Sequence, residues 1–310
     1  MLPFALPAGD LQHAMKYRHS FHAGNFADVH KHVALLALLA ALKRKDKGFL
    51  YLDTHAGRGS YDLSSPTAEA AAGIGRFARA AHAAQELRDY AALLAEYRGG
   101  GGRAQHYPGS PLLAVTALRS QDRAVLIERL APEAQALTRA LAAAAPQASA
   151  RPQESERLRT TKPPRVRVER GDGFQRLRAW LPPPERRGLA FLDPPYEESQ
   201  GDFMQLLDAL AQGLRRFRTG VFAAWYPIKD ERRTSAWLAH CSHALCAPLL
   251  SSELWLYPRD ARVALNGSGL LIVNPPWLIL ERMQVWLPEL QACLALGAGG
   301  GCSARVLPAA

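Results

Sequence analysis

Gly188-Leu189-Ala190-Phe191-Leu192-Asp193-Pro194-Pro195-Tyr196 is an apolar run that stops at a carboxylate, two prolines and an aromatic ring. An apolar stretch of this length, bounded by Gly and Pro, reads as a buried strand of a parallel sheet. The two prolines remove two backbone donors and stiffen the turn. Carbonyls beside Asp193 are therefore left open toward a cleft, while Tyr196 offers a flat face. Such a strand end suits an amine carried on a planar aromatic ring.

The same arrangement recurs on either side of it. Phe49 to Asp53 reads as a first strand ending in an acid, followed by the turn Thr54-His55-Ala56-Gly57-Arg58-Gly59. Glycines after a buried strand let the backbone come close to a nucleotide-like ligand. The spacing is not GxGxxG, and Ser60 to Pro66 reads as loop rather than the helix N-terminus a pyrophosphate needs, so a cofactor without phosphate fits better. Arg123 to Glu128 is a second strand, and Glu128 at its end is placed to accept hydrogen bonds from both ribose hydroxyls. An ordinary solvated Glu is the plainer alternative there. Arg165 to Glu169 alternates with period two and forms a third strand, followed by Asp172, Gly173, Phe174 and an amphipathic helix.

Beyond the opening stretch come a helix from about Phe203 to Phe217 and a fifth strand from Gly220 to Pro227, with later strands at 252–257 and 269–273. Strands alternating with helices predict an α/β fold with a mostly parallel sheet. Four strand ends, carrying Asp53, Glu128, Asp172 and Asp193, then converge on one edge of it. Asn274-Pro275-Pro276-Trp277 repeats the Pro-Pro-aromatic theme, but Asn cannot take up a proton as a carboxylate can. An antiparallel edge strand would also turn that end away from the other four, so it reads as a strand stop.

The rest of the chain bounds the answer. The 310 residues are enough for one large domain with an insertion, and 38 basic against 28 acidic residues suit a polyanionic partner such as nucleic acid. A general bias toward Arg accounts for part of that charge. Four cysteines without a CxxC pair argue against a zinc site or disulfide framework, and the histidines near the start have no acidic or Cys cluster to complete a metal site. A cytoplasmic setting and no membrane span are expected.

Residues 1–14 read as a leader or a misplaced start before Met15, with the domain running over 15–310. The His-rich stretch from Tyr17 to His32 reads as a loop lining the cleft, with Asn25 or Asp28 capping the apolar helix Val33 to Leu42 as the plainer alternative. Lys43 to Lys47 complements that helix's C-terminus and is a possible phosphate contact. Residues 61–108 read as a helical insertion closed by a Gly-rich connector at 99–103. Ser110 ahead of Pro111 reads as a helix N-cap, and 143–164 as a disordered surface loop.

YRHSFHAGNFADVHKH (17–32), FLYLDTHAGRGSY (49–61), HYPGSPL (106–112), DGF (172–174), RRGLAFLDPPYE (186–197) and LNGSGLLIVNPPW (265–277) together resemble the ribosomal RNA large subunit methyltransferase J family. The resemblance covers most of the chain from Met15 onward. It implies a Rossmann-like class I S-adenosylmethionine-dependent methyltransferase, with helices on both faces of the sheet, acting on N6 of an adenine in free 23S rRNA. The family's sites imply that His32, His55, Ser110, Glu128, Asp172, Gly173 and Asp193 bind the cofactor, that Asp193, Pro194 and Tyr196 act on an adenine flipped out of its stack, and that Tyr17 meets the RNA. A monomer without an obligate protein partner is expected. The alternatives are a DNA adenine methyltransferase, which would want a large target-recognition domain, and an RNA-binding module with a dead site.

Overall fold

The computed structural model describes residues 22–99, 103–148, 163–196, 199–261 and 263–308. In chain order the strands are β1 (Leu50–Asp53), β2 (Ser60–Asp62), β3 (His106–Pro108), β4 (Arg123–Glu128), β5 (Arg165–Arg170), β6 (Gly188–Leu192), β7 (Val221–Ile228), β8 (Leu249–Trp255), β9 (Gly267–Val273) and β10 (Gly301–Val306). The helices are α1 (Phe26–Lys43), α2 (Ala68–Ala72), α3 (Ile74–Phe77), α4 (Gln85–Arg98), α5 (Ser110–Ala117), α6 (Ala131–Ala148), α7 (Gly173–Trp180), α8 (Ser199–Arg216), α9 (Glu231–Leu245) and α10 (Ile279–Leu294).

β1, β6, β7 and β9 are buried along their whole length, as strands covered on both faces must be. They form the middle of an eight-stranded sheet in the order β5-β4-β1-β6-β7-β9-β8-β10. The first five run parallel. β9 enters antiparallel between β7 and β8, and β10 adds antiparallel outside β8. Helix α1 lies on β6 and β9 beside α5 and α10, while α7 lies on β1 and β4 and α8 on β7. Five parallel strands followed by an inserted antiparallel one make this the Rossmann-like fold of class I methyltransferases. Among the described residues, no helix is long and apolar enough to cross a membrane.

Several expectations change. The His-rich stretch is not a loop from residue 26 onward, because α1 begins at Phe26, where the Asn25 side chain accepts from the Asp28 amide as N-cap. β9 is not an edge strand, since β8 and β10 continue the sheet beyond it. Ser60–Asp62 is strand rather than loop and pairs with His106–Pro108, closing the base of the segment that holds α2 to α4. Gly109, not Ser110, occupies the N-cap of α5. α6 continues to Ala148 through the start of the stretch read as a disordered loop. Residues 1–14, Tyr17, 100–102 and 149–162 lie outside the described residues.

Candidate active site

The carboxyl ends of β1, β4, β5, β6 and β7 open into one cavity of about 1440 Å³. Its lining includes His55 and Gly57 after β1, Glu128 on β4, Asp172 to Phe174 after β5, Asp193 to Tyr196 after β6, and Trp225 and Pro227 on β7. The first turn of α1 and residues Ala68, Glu69 and Ala72 of α2 form the opposite wall.

Asp193 is 8% exposed and its Oδ2 accepts a 2.5 Å hydrogen bond from the Lys31 Nζ. Lys31 is itself only 3% exposed, reaches Asp28 Oδ1 at 3.0 Å, and stands 5.1 Å from the centre of the Trp225 ring. Burial opposes its charge, but Asp193 and Asp28 outweigh that and hold the ammonium well above the ordinary lysine range. Asp28 is anchored in turn, its Oδ2 accepting from the Gly24 amide. In the sequence Asp28 reads only as a possible helix cap, and Lys31 is one more polar residue of the His-rich stretch. Their i,i+3 spacing on the face that Asn25 starts is the signal that would have found them.

Tyr196 is 8% exposed, with its hydroxyl donating to the Trp225 carbonyl at 2.6 Å and its ring set edge-on to Trp225 and tilted against Phe203. Burial raises its phenol well above the ordinary range, so it stays neutral. Trp225 is fixed from behind: its Nε1 donates to Ser268 Oγ, which is also bonded to His30 Nδ1. His30 is fully buried between Ser268 and Ser252, and burial, with Lys31 next to it, lowers it to about 3.

At the other end of the cavity Glu128 is set by two backbone amides, Gly57 at 2.9 Å to Oε2 and Leu130 at 2.7 Å to Oε1. Gly57 and Gly59 have φ of 62° and 80°, the left-handed turn that brings the Gly57 amide to Glu128. Asp172 caps α7, its Oδ1 accepting from the Gln175 amide and its Oδ2 making no such bond among the described residues. A Cβ at Gly173 would meet the Thr54 carbonyl at 1.9 Å, so this glycine seats α7 against the end of β1. The His55 ring packs edge-on to Phe174 at 4.9 Å, and burial lowers it to about 4, which leaves it neutral near pH 7.

Two expected cofactor residues do not line the cavity. His32 is absent from the cavity lining because it is 2% exposed beneath it, with Nδ1 bonded to the Tyr107 hydroxyl, which meets the Tyr90 hydroxyl. Ser110 is likewise out of the lining, and it donates to Asp53 Oδ2. Asp53 also accepts from Tyr51 and from the His55 amide, and burial pushes its carboxyl up to about 6. It braces the Gly turn from below rather than facing a ligand. Asn274 stands at the opposite edge of the sheet, with Nδ2 donating to the carbonyls of Arg218 and Gly220. Lys43 donates to the Ala117 carbonyl at the C-terminus of α5, which accounts for it without phosphate.

The family model described as "Ribosomal RNA large subunit methyltransferase D, RlmJ" matches residues 46–306. A relative from Escherichia coli (strain K12), named Ribosomal RNA large subunit methyltransferase J, is 37% identical over 95% of this chain and 99% of its own length. Its namesake from Haemophilus influenzae is 37% identical over 90% of this chain and 94% of its own. Among solved structures, the crystal structure of protein LPL1258 from Legionella pneumophila str. Philadelphia 1 superposes with a TM-score of 0.77 at 32% identity, covering 92% of this chain and 98% of that one.

Proposed function

The chain belongs to the ribosomal RNA large subunit methyltransferase J family, and from that premise we propose that it methylates N6 of an adenine in 23S rRNA, with Asp193 as the group that receives the amine. It is an S-adenosylmethionine-dependent rRNA methyltransferase; the adenine, the atom and the residue roles are the proposal. The observation that carries it is the buried Lys31–Asp193–Asp28 cluster at the end of β6, directly beside the Trp225 and Tyr196 rings.

The donor set fits the cofactor. Glu128, already held by two amides, has lone pairs left for the ribose hydroxyls. Asp172 Oδ2 would accept from the cofactor's adenine amino group, Phe174 and Leu130 would flank its ring, and His55 would lie toward the methionine portion. Gly173, His32 and Ser110 support this pocket from behind, as their packing against Thr54, Tyr107 and Asp53 suggests. When bound, the cofactor supplies an electrophilic methyl on a sulfonium.

An adenine amino nitrogen is a weak nucleophile because its lone pair is delocalised into the ring. Asp193 Oδ1 and the Pro194 carbonyl would accept its two hydrogens, turning the lone pair toward the methyl. Methyl transfer would place positive charge on that nitrogen beside the Asp193 carboxyl group, which is paired with Lys31 and would stabilise the charge electrostatically. The amine proton leaves through Asp193 to water. Holding both substrates in line supplies much of the remaining rate. The base itself must be extruded to reach this depth, with Trp225 and Tyr196 offering apolar walls for it.

The test is transfer of labelled methyl to deproteinised rRNA, with nucleoside digestion and mass spectrometry to identify the product. N6-methyladenosine is expected, lost in Asp193→Ala; undiminished transfer in that variant, or a methyl on another atom, overturns the reading. Duplex DNA serves as the competing substrate and is expected to remain unmodified.

A further inference from the structure

The cavity has a second end, away from the residues proposed to hold the cofactor and the amine. Ile228 on β7 pairs with Gly267 on β9, and Gly267 pairs with Trp255 on β8, so these three residues lie level across the sheet. Lys229 is one residue past Ile228, Leu265 two before Gly267 and Tyr257 two past Trp255. All three line the cavity and form a row across its mouth. The base of the row is pinned by Asn266, 2% exposed, whose Oδ1 accepts from the Tyr257 amide and whose Nδ2 donates to the Pro258 carbonyl.

Depth sets what this row can touch. β6 and β7 are parallel with Leu192 level with Ala224, so Asp193 is level with Trp225. Lys229 is four residues farther along, roughly 13 Å at the usual strand rise. A base whose amine rests on Asp193 leaves its ribose and phosphates near that mouth. Lys229 is exposed and makes no ion pair among the described residues. Its acidic neighbours are taken: Asp230 caps α9 and meets Arg233, and Glu231 and Glu253 are both bonded to Arg259.

Building on the methyltransferase reading above, we infer that this row is a track for the RNA strand flanking the extruded adenine, with Lys229 pairing to a backbone phosphate and Tyr257 stacking on a neighbouring unpaired base. The phosphate contact is indifferent to sequence, and the stacking requires single-stranded RNA beside the target. Leu265 supplies an apolar floor between them.

The test is equilibrium binding of deproteinised rRNA over a salt series for wild type, Lys229→Ala, Lys229→Arg and Tyr257→Ala, with calorimetric S-adenosylmethionine binding to certify the pocket in each. Losing one phosphate contact should flatten the slope of log affinity against log salt by about 0.7–0.9 in Lys229→Ala, and Lys229→Arg should restore it. Tyr257→Ala should weaken binding by roughly tenfold with the salt slope kept. An unchanged slope in Lys229→Ala, or unchanged affinity in Tyr257→Ala, overturns the track. If wild type neither binds nor methylates rRNA, the underlying function fails instead, and the two failures are told apart by the wild-type lane.

Discussion

Lys31 holds two buried carboxylates, Asp193 and Asp28, with one ammonium. Removing one partner of a buried pair strands the others without compensation, at about 3–5 kcal/mol. Lys31→Met is therefore expected to lower the urea midpoint strongly and to lose methyl transfer. Adding Asp28→Asn should recover part of the stability and none of the activity, a coupling that a double-mutant cycle measures directly. His30 gives a pH signature behind the same site. Its unfolded form takes up a proton below about 6.5 while the folded form stays neutral down to about 3, so its contribution is full above pH 6.5 and is lost as pH falls. Between pH 7 and 5, wild type should lose about 2 kcal/mol more than His30→Gln by denaturant unfolding. His55 pulls the same way and Asp53 the opposite way, since a carboxyl raised to about 6 contributes stability below its unfolded pKa that is lost as pH rises through 6; both cancel in the comparison.

The elements that matter are strand ends that pass straight into a cap or a turn. β5 leads to Asp172, which caps α7, and Gly173 sits hard against the end of β1. One helix start thus presents Asp172 and Phe174 to the cavity while tying two strands together. Gly173→Ala is expected to push α7 off β1, costing about 1–3 kcal/mol by overpacking and weakening S-adenosylmethionine binding in calorimetry. This arrangement was legible in part. Periodicity and glycine spacing marked β1, β4, β5, β6 and β7, and the acids at their ends were readable as candidates. The start of α1 is ambiguous in the sequence, because a stretch dense in His, Asn and Asp looks like loop as much as like a helix capped by Asn25, and only its packing buries those polar side chains. β10 gave no periodic signal and forms because β8 offers it an edge.

Across the whole molecule, direction of travel separates two similar turns. β6 and β9 run oppositely, so Asp193-Pro194-Pro195-Tyr196 opens into the cavity and Asn274-Pro275-Pro276-Trp277 emerges at the far edge. Asn274 has φ of 53° and ties β9 to the residues before β7 through Arg218 and Gly220. Asn274→Ala is expected to cost about 1–3 kcal/mol in thermal or urea unfolding by freeing two carbonyls. Methyl transfer per folded molecule should stay at the wild-type rate, in contrast to the loss in Asp193→Ala.

The sequence by itself determined the parallel core, the order of its acidic strand ends and the family, because strand periodicity, Gly and Pro punctuation and motif spacing are local properties of the chain. Only the tertiary structure decided which polar residues meet. Lys31 is 162 positions from Asp193, His30 is 238 from Ser268, and His32 turns away from the cavity to Tyr107, 75 positions on. Such pairings depend on how α1 lies across β6 and β9, and helix orientation over a sheet is set by packing of the whole core.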